Sequence, residues 1–129
     1  MPIELSISHA DRMVVAVVKD RLTFEDAVRY HEELLADGAL GYRKIFDLGE
    51  GRIDLDNDDL MMLGARFKAY AETVALGAIA LVAPDASSYE RARLYKVLAS
   101  GTRPLEIHRS HDAARRWLDS LAVGGEGAT

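Results

Sequence analysis

The sequence contains no cysteine among its 129 residues. Disulfide bonds, thiolate nucleophiles and cysteine-ligated metal sites are therefore excluded. No apolar run approaches the ~20 residues that cross a bilayer, so we predict no membrane insertion. Residues 1–4 (MPIE) show neither the basic nor the apolar segment of a secretory signal. We therefore predict a cytoplasmic location.

Positive charge is also scarce, with 16 lysines and arginines against 21 aspartates and glutamates, a net charge of −5. Nonspecific nucleic-acid binding relies on clustered lysine and arginine, so no nucleic-acid partner is expected. The glycine-rich patterns that hold nucleotide phosphates are missing as well, and no cofactor is predicted.

What is present is the composition of an ordinary globular domain, with 49% hydrophobic and 29% charged residues. The length predicts one domain with a core of its own. We place this domain at residues 1–121. The glycine-rich stretch at residues 122–129 is predicted to be a flexible tail.

Hydrophobic periodicity predicts an α/β fold with the order ββαβαβαβα. The connection between the first two strands is short enough only for an antiparallel hairpin. Right-handed crossovers make the other strands parallel. The prediction is a five-stranded mixed sheet with four helices, whose strands lie near residues 3–7, 13–18, 42–48, 78–83 and 105–108.

Polar residues mark where the helices begin. Thr23 with Asp26 resembles a capping box, and Ser87 with Glu90 is a second candidate. Asp56 is the expected cap of the second helix, where nearby acids complement the helix dipole.

The acidic run at residues 54–59 raises the question of calcium. An EF-hand loop starting at Asp54 requires glycine at its sixth position and glutamate at its twelfth. Those positions hold Asp59 and Ala65. Helix capping explains most of these acids, and no metal site is predicted.

Asp47 ends a strand, as the phospho-accepting aspartate does in receiver domains. The receiver pattern also needs a hydroxyl after the fourth strand and a lysine after the fifth, but Ala83 and His108 stand there. The receiver hypothesis is therefore rejected.

No set of residues assembles an acid, a base and a nucleophile. His108 and His111 flank a strand–helix junction without a third ligand, and His31 is expected to be a hydrogen-bonded boundary residue. Ser87 and Ser88 lack the Gly-x-Ser-x-Gly elbow. We predict no catalytic residue and a protein that is not an enzyme.

The pattern as a whole resembles the STAS-like or SpoIIAA-like family, whose typical member is the anti-sigma-factor antagonist. The resemblance covers about residues 3 to 121 and is closest to small stand-alone bacterial members of unassigned function. Its motifs are residues 45–48 (IFDL), 58–60 (DDL), 78–84 (AIALVAP), 89–95 (YERARLY) and 112–118 (DAARRWL).

One departure from the family concerns the phosphorylatable serine of the antagonists, which stands in an Asp-Ser-Ser-Gly-Leu context. The matching residues 56–60 (DNDDL) contain no hydroxyl. A phosphoserine switch at this place is excluded, and the acids are hypothesised to mimic a permanently phosphorylated surface.

The resemblance implies a non-enzymatic regulatory or protein-interaction module, acting as a homodimer or with another protein. The predicted partner-binding residues are Asp56, Asn57, Asp58, Asp59, Met61 and Met62. One of the two methionines is expected in the core and the other at the contact surface.

The alternative is a domain that binds a small apolar or anionic molecule, or a lipid, in a pocket between the sheet and the helices. It predicts a cavity lined by Phe67, Met61 and Tyr95, with Arg91 or Arg93 at its mouth. The ligand-binding residues of this alternative are Ser87, Ser88, Tyr89, Arg91, Arg93 and Tyr95.

Overall fold

A computed structural model describes residues 2–49, 51–99, 101 and 103–128, with side chains described as far as Leu121. The elements, in chain order, are β1 (Ile3–Ser8), β2 (Met13–Val18), β3 (Arg21–Leu22), α1 (Phe24–Ala36), β4 (Arg43–Asp47), β5 (Arg52–Ile53), α2 (Asn57–Ala71), β6 (Ile79–Val82), α3 (Ala86–Leu98), β7 (Leu105–His108) and α4 (His111–Ala128).

The main sheet has the strand order β1-β2-β4-β6-β7. β1 and β2 are antiparallel, and the other neighbours pair in parallel. This confirms the predicted five-stranded mixed sheet with four helices. Helices α1, α2 and α3 pack on one face of the sheet, and α4 packs on the other.

A second, two-stranded sheet was not predicted. β3 and β5 pair in parallel through Arg21–Arg52 and Leu22–Ile53. The backbone N–H of Asp54 donates to the Leu22 carbonyl (2.8 Å), and Arg21 Nε donates to Asp54 Oδ2 (2.6 Å). Two-residue strands are too short to show the alternation by which strands are recognised in a sequence.

The helix caps are partly as predicted. Thr23 and Asp56 each form a capping box, with Asp26 and Asp59 respectively. The prediction that Ser87 caps α3 is wrong. Asp85 is the cap, because α3 begins directly after it and its carboxylate accepts from Ser88 N–H (2.8 Å).

The hydrogen bonds from the backbone and side chain of Ser88 lower the pKa of the Asp85 carboxyl group. They favour its charged form, which suits the positive end of the helix dipole.

Helix α4 reaches Ala128, so the backbone is helical over residues 122–128, where the sequence indicated a tail. The flexibility of residues 122–129 stays a prediction. No helix in the described part of the chain is both long and apolar enough to cross a membrane.

We expect Asp56→Ala to lower the free energy of unfolding by about 1 kcal/mol, because Asp59 N–H loses its acceptor at 2.8 Å. Asp58→Ala is the matched control. Its exposed carboxylate complements only the helix dipole, so a loss of a few tenths of a kcal/mol is expected. Urea denaturation of both variants measures the difference, and equal losses would contradict the capping role.

Candidate functional site

A cavity of about 70 Å³ lies between the sheet and helices α1, α2 and α3. One water needs roughly 10–15 Å³, and a cavity of about 150 Å³ accepts benzene, so this one suits a small ligand. Its wall is mainly aliphatic and aromatic, with six residues that carry a polar group: Tyr30, His31, Lys44, Arg91, Tyr95 and Arg103.

Regular geometry explains why these side chains meet. Alternation along β4 places Lys44 and Phe46 on the helix-covered face, while Ile45 packs beneath α4 on the other face. The buried stripe of α1 presents Tyr30 and His31 to the same interior.

Lys44 is the least expected member of this wall, because its side chain is only 1% exposed. Its Nζ donates to the backbone carbonyls of Leu40 (2.6 Å) and Tyr42 (2.7 Å). Burial, with a smaller contribution from the charge of Arg103, lowers the pKa of Lys44 from 10.5 to about 7. Both forms of the amine are therefore populated at neutral pH.

Arg103 lies in the connection between α3 and β7. Its Cζ lies 4.2 Å from the centroid of the Phe67 ring, a cation–π contact. Nε, Nη1 and Nη2 are buried, and none has a hydrogen-bond partner of good geometry in the part of the chain that the structure describes. A buried charge costs several kcal/mol unless it is paired.

Two tyrosines supply neutral donors. The buried hydroxyls of Tyr30 and Tyr95 have no hydrogen-bond partner of good geometry among the described residues. Burial raises the pKa of both, that of Tyr95 to about 12, although the nearby charge of Arg103 offsets part of each rise and a hydrogen bond with Arg103 offsets a further part for Tyr95. Both hydroxyls therefore keep their protons at neutral pH.

His31 is held neutral. Burial lowers its pKa to about 3, with further contributions from the charges of Arg103, Arg66 and Lys44. Its ring packs edge-on against Phe67, with centroids 4.1 Å apart, and its Nδ1 has no described partner. The prediction of a hydrogen-bonded boundary residue is wrong, since His31 is buried within the core.

The charge of the cavity has one sign. Arg103, Arg91 and Lys44 contribute positive groups, and none of the described lining residues is acidic. Arg91 already has partners, since it donates to Asn57 Oδ1 (3.2 Å) and, through Nη2, to the Leu55 carbonyl. Arg103 therefore leaves the donors that an anion can take up.

Only some of the predicted ligand-binding residues line the cavity. Arg91 and Tyr95 line the cavity as expected, and so does Phe67. Arg93 and Ser87 are exposed and do not line it. Neither Ser88 nor Tyr89 lines it: Ser88 donates to the Asp85 carbonyl at 3.2 Å, and the Tyr89 ring lies 4.6 Å from Arg109 Cζ.

The predicted partner surface has a different character. Met61 does not line the cavity, and both Met61 (56% exposed) and Met62 (52%) project from α2. The expectation that one of them is a core residue is wrong, because the inward stripe of α2 is formed by Leu60, Leu63 and Phe67. The acids at positions 56 and 59 serve the capping box.

Four of the six cavity residues that carry a polar group were not predicted to line it: Tyr30, His31, Lys44 and Arg103. The signal for Lys44 was present, since a lysine at an inward position of a buried strand breaks the expected alternation. Arg103 carries no such signal, because it lies in a connection without periodicity.

A pair of hydrogen-bonded polar side chains lies outside the cavity, at the edge of the sheet where the parallel strands end. Asp47 Oδ2 and His111 Nε2 are 2.5 Å apart, and Gly49 N–H donates to Asp47 Oδ1 (2.7 Å). The nearest hydroxyl along the chain, Ser110 Oγ, accepts the Ala113 N–H as a helix cap. Within the described residues, no three His, Asp or Glu side chains form a group that could hold a metal.

Comparison with known proteins gives no relative: no protein-family model, no curated protein and no solved structure matches the chain. The STAS-like relation stays a prediction from the residues, and the cavity is the feature on which a functional conclusion can rest.

Proposed function

We propose that this protein binds a small organic anion, a short-chain carboxylate, inside the cavity. The observation that supports this most directly is the Arg103 guanidinium, whose nitrogens are buried against Phe67 and have no described partner besides the hydroxyl of Tyr95. A carboxylate supplies the missing acceptor and the missing charge together.

The chemistry of the donors favours a carboxylate. A guanidinium presents paired N–H groups whose geometry matches the two oxygens of a carboxylate, and such charged hydrogen bonds are roughly twice as strong as neutral ones. The hydroxyls of Tyr30 and Tyr95 are protonated and add neutral donors. A divalent phosphate would have to bury three oxygens against a largely apolar wall.

The apolar wall selects the hydrocarbon part of the ligand. Side chains such as Leu63, Phe46 and Leu81 offer contacts to a short alkyl chain, and each buried methylene contributes about 0.8 kcal/mol. The volume of about 70 Å³ is about half of the roughly 150 Å³ that accepts benzene, so the carboxylate and one or two carbons fill it, and any further carbon lies in its opening. The partly exposed members of the lining, Ile53, Arg91, Tyr95 and Arg103, indicate the side from which a ligand enters.

The regulatory role and the homodimer expected from the family resemblance stay predictions. Their support is the exposure of Met61, Met62 and Asp58 on one helix. Arg91 connects this surface with the cavity, because it lines the cavity and donates to Asn57 at the start of α2.

The proposal predicts that butanoate binds and raises the melting temperature, whereas butanamide, which is similar in shape but uncharged, does not. Isothermal titration and thermal unfolding with both compounds measure this. Longer acids, such as dodecanoate, should bind more weakly because they exceed the cavity. Equal effects of butanoate and butanamide would contradict the proposal, as would the absence of binding by every short acid.

A further inference from the structure

We propose that Lys44 captures its ligand covalently as a Schiff base, so that the preferred ligand is a short 2-oxo acid. This inference rests on the proposed function and names the substrate class of the same site. It goes beyond reversible anion binding because it assigns a chemical reaction to the buried amine.

The position of Lys44 carries the argument. Lys44 and Arg103 line the same cavity of about 70 Å³, so a ligand that fills the cavity lies within reach of both. With its carboxylate on Arg103, a ligand this small can place a carbonyl only one or two bonds away from that end. A 2-oxo acid has its carbonyl carbon directly beside the carboxylate.

The hydrogen bonds of Lys44 suit a neutral amine. Its Nζ donates to two backbone carbonyls, those of Leu40 and Tyr42, which accounts for both hydrogens of an uncharged amine and leaves its lone pair. A desolvated lysine beside another cation is a known way to activate an amine as a nucleophile. Lys19, Lys68 and Lys96, by contrast, are exposed.

The neighbouring groups suit the proton transfers. The Lys44 nitrogen forms a bond to the carbonyl carbon, and the carbonyl oxygen takes a proton to give a carbinolamine. The C–O bond then breaks, the oxygen leaves as water after a second protonation, and the C=N bond forms.

In total, the amine gives up two protons and the departing oxygen gains two, so the reaction balances without an oxidant or a reductant. The hydroxyls of Tyr30 and Tyr95 line the same cavity and can relay these protons from the nitrogen to the oxygen, each accepting one proton as it gives another up. The neutral imine has no N–H; one further proton, taken up from solvent through the opening of the cavity, gives a protonated imine whose N–H restores one of the two carbonyl bonds.

The test uses the wild-type chain with 2-oxobutanoate and sodium cyanoborohydride, which reduces an imine to a stable secondary amine. Intact-mass measurement counts adducts, and peptide mapping locates them. We expect one adduct per chain at Lys44, blocked by excess butanoate. The three exposed lysines serve as internal controls, and no variant has to fold for the result to be read.

Thermal unfolding with 2-oxobutanoate, without the reductant, separates this inference from the proposal of anion binding. Stabilisation without an adduct at Lys44 would overturn the Schiff base and leave anion binding intact. Adducts spread evenly over the exposed lysines would also overturn it. If neither 2-oxobutanoate nor butanoate bound, the proposed function and the inference would fail together.

Discussion

Arg103→Met is expected to stabilise the empty protein by about 1–3 kcal/mol and to weaken its binding of short acids at least tenfold. Methionine replaces the buried guanidinium with an apolar chain that fills similar space. The buried charge costs several kcal/mol, and its cation–π contact with Phe67, 4.2 Å from the centroid, offsets about 2 kcal/mol of that. Removing both the charge and its contact should therefore raise the free energy of unfolding.

The same substitution removes the group that would hold the carboxylate. Hydrogen bonds to a charged group contribute about 1.5–3 kcal/mol, so the affinity for butanoate should fall by tenfold to more than a hundredfold. The opposite signs of the two effects distinguish a ligand-binding arginine from a structural one, whose loss would destabilise the empty protein.

Arg93→Met provides the control, because Arg93 lies exposed on α3 and does not line the cavity. It should change neither stability nor affinity appreciably. Chemical denaturation and titration calorimetry measure both quantities. A destabilised Arg103→Met variant that still bound butanoate normally would refute the role given to this side chain.

The second large effect is an increase in stability between pH 7 and pH 10. The pKa of Lys44 is about 7 in the folded protein, against an ordinary value of 10.5. Between these pH values the unfolded chain binds a proton that the folded protein does not. The cost of burying the charged Lys44 amine is therefore complete below pH 7 and disappears as the pH approaches 10.5. Over this range the free energy of unfolding rises by at most about 1.4 kcal/mol per pH unit.

Other buried groups limit the pH range over which stability rises. The lowered pKa of His31 makes stability fall as the pH drops from 6.5 towards 3. Burial raises the pKa of Tyr95 from 10.0 to about 12. Above pH 10 the folded tyrosine therefore keeps a proton that the unfolded one has lost, so stability falls again. Stability should therefore be highest near pH 10.

Lys44→Met should remove the slope between pH 7 and pH 10, although it also leaves the carbonyls of Leu40 and Tyr42 without this donor. Lys96→Met, at an exposed position of α3, should keep the slope. Urea denaturation at several pH values gives the comparison. A flat profile for the wild-type protein would show that Lys44 is not titrating as its surroundings require.

The sheet and helices were predictable because their residues follow simple periods. The apolar runs of β4 and β6 and the stripes of α1 and α2 agree with local preference, so the sequence pattern and the tertiary fold coincide. The pairing of β3 with β5 was not predictable, because two residues carry no period. Asp85 was missed as a cap because a serine in a plausible capping box stands two residues later.

The cavity was predictable only in part, because sequence reasoning places charged residues at the surface by default. Following that rule, we predicted Arg91 and Arg93, on a helix surface, as ligand-binding residues. We did not consider Lys44 and Arg103. What buries those two is the tertiary arrangement: β4 turns Lys44 inward, and the ring of Phe67 lies against the guanidinium of Arg103. The contact between Arg103 and Phe67 is not local in the sequence.

The double engagement of Arg91 has a thermodynamic consequence. This side chain faces the cavity and also holds Asn57 and the Leu55 carbonyl at the start of α2. A ligand that drew Arg91 inward would loosen the exposed end of that helix. A macromolecule that bound this helix end would in turn change the affinity of the protein for the ligand. Because linkage is reciprocal, the ligand and the macromolecule would change each other's affinity by the same factor. An interior metabolite would then be sensed at the outer surface without any large movement of the sheet.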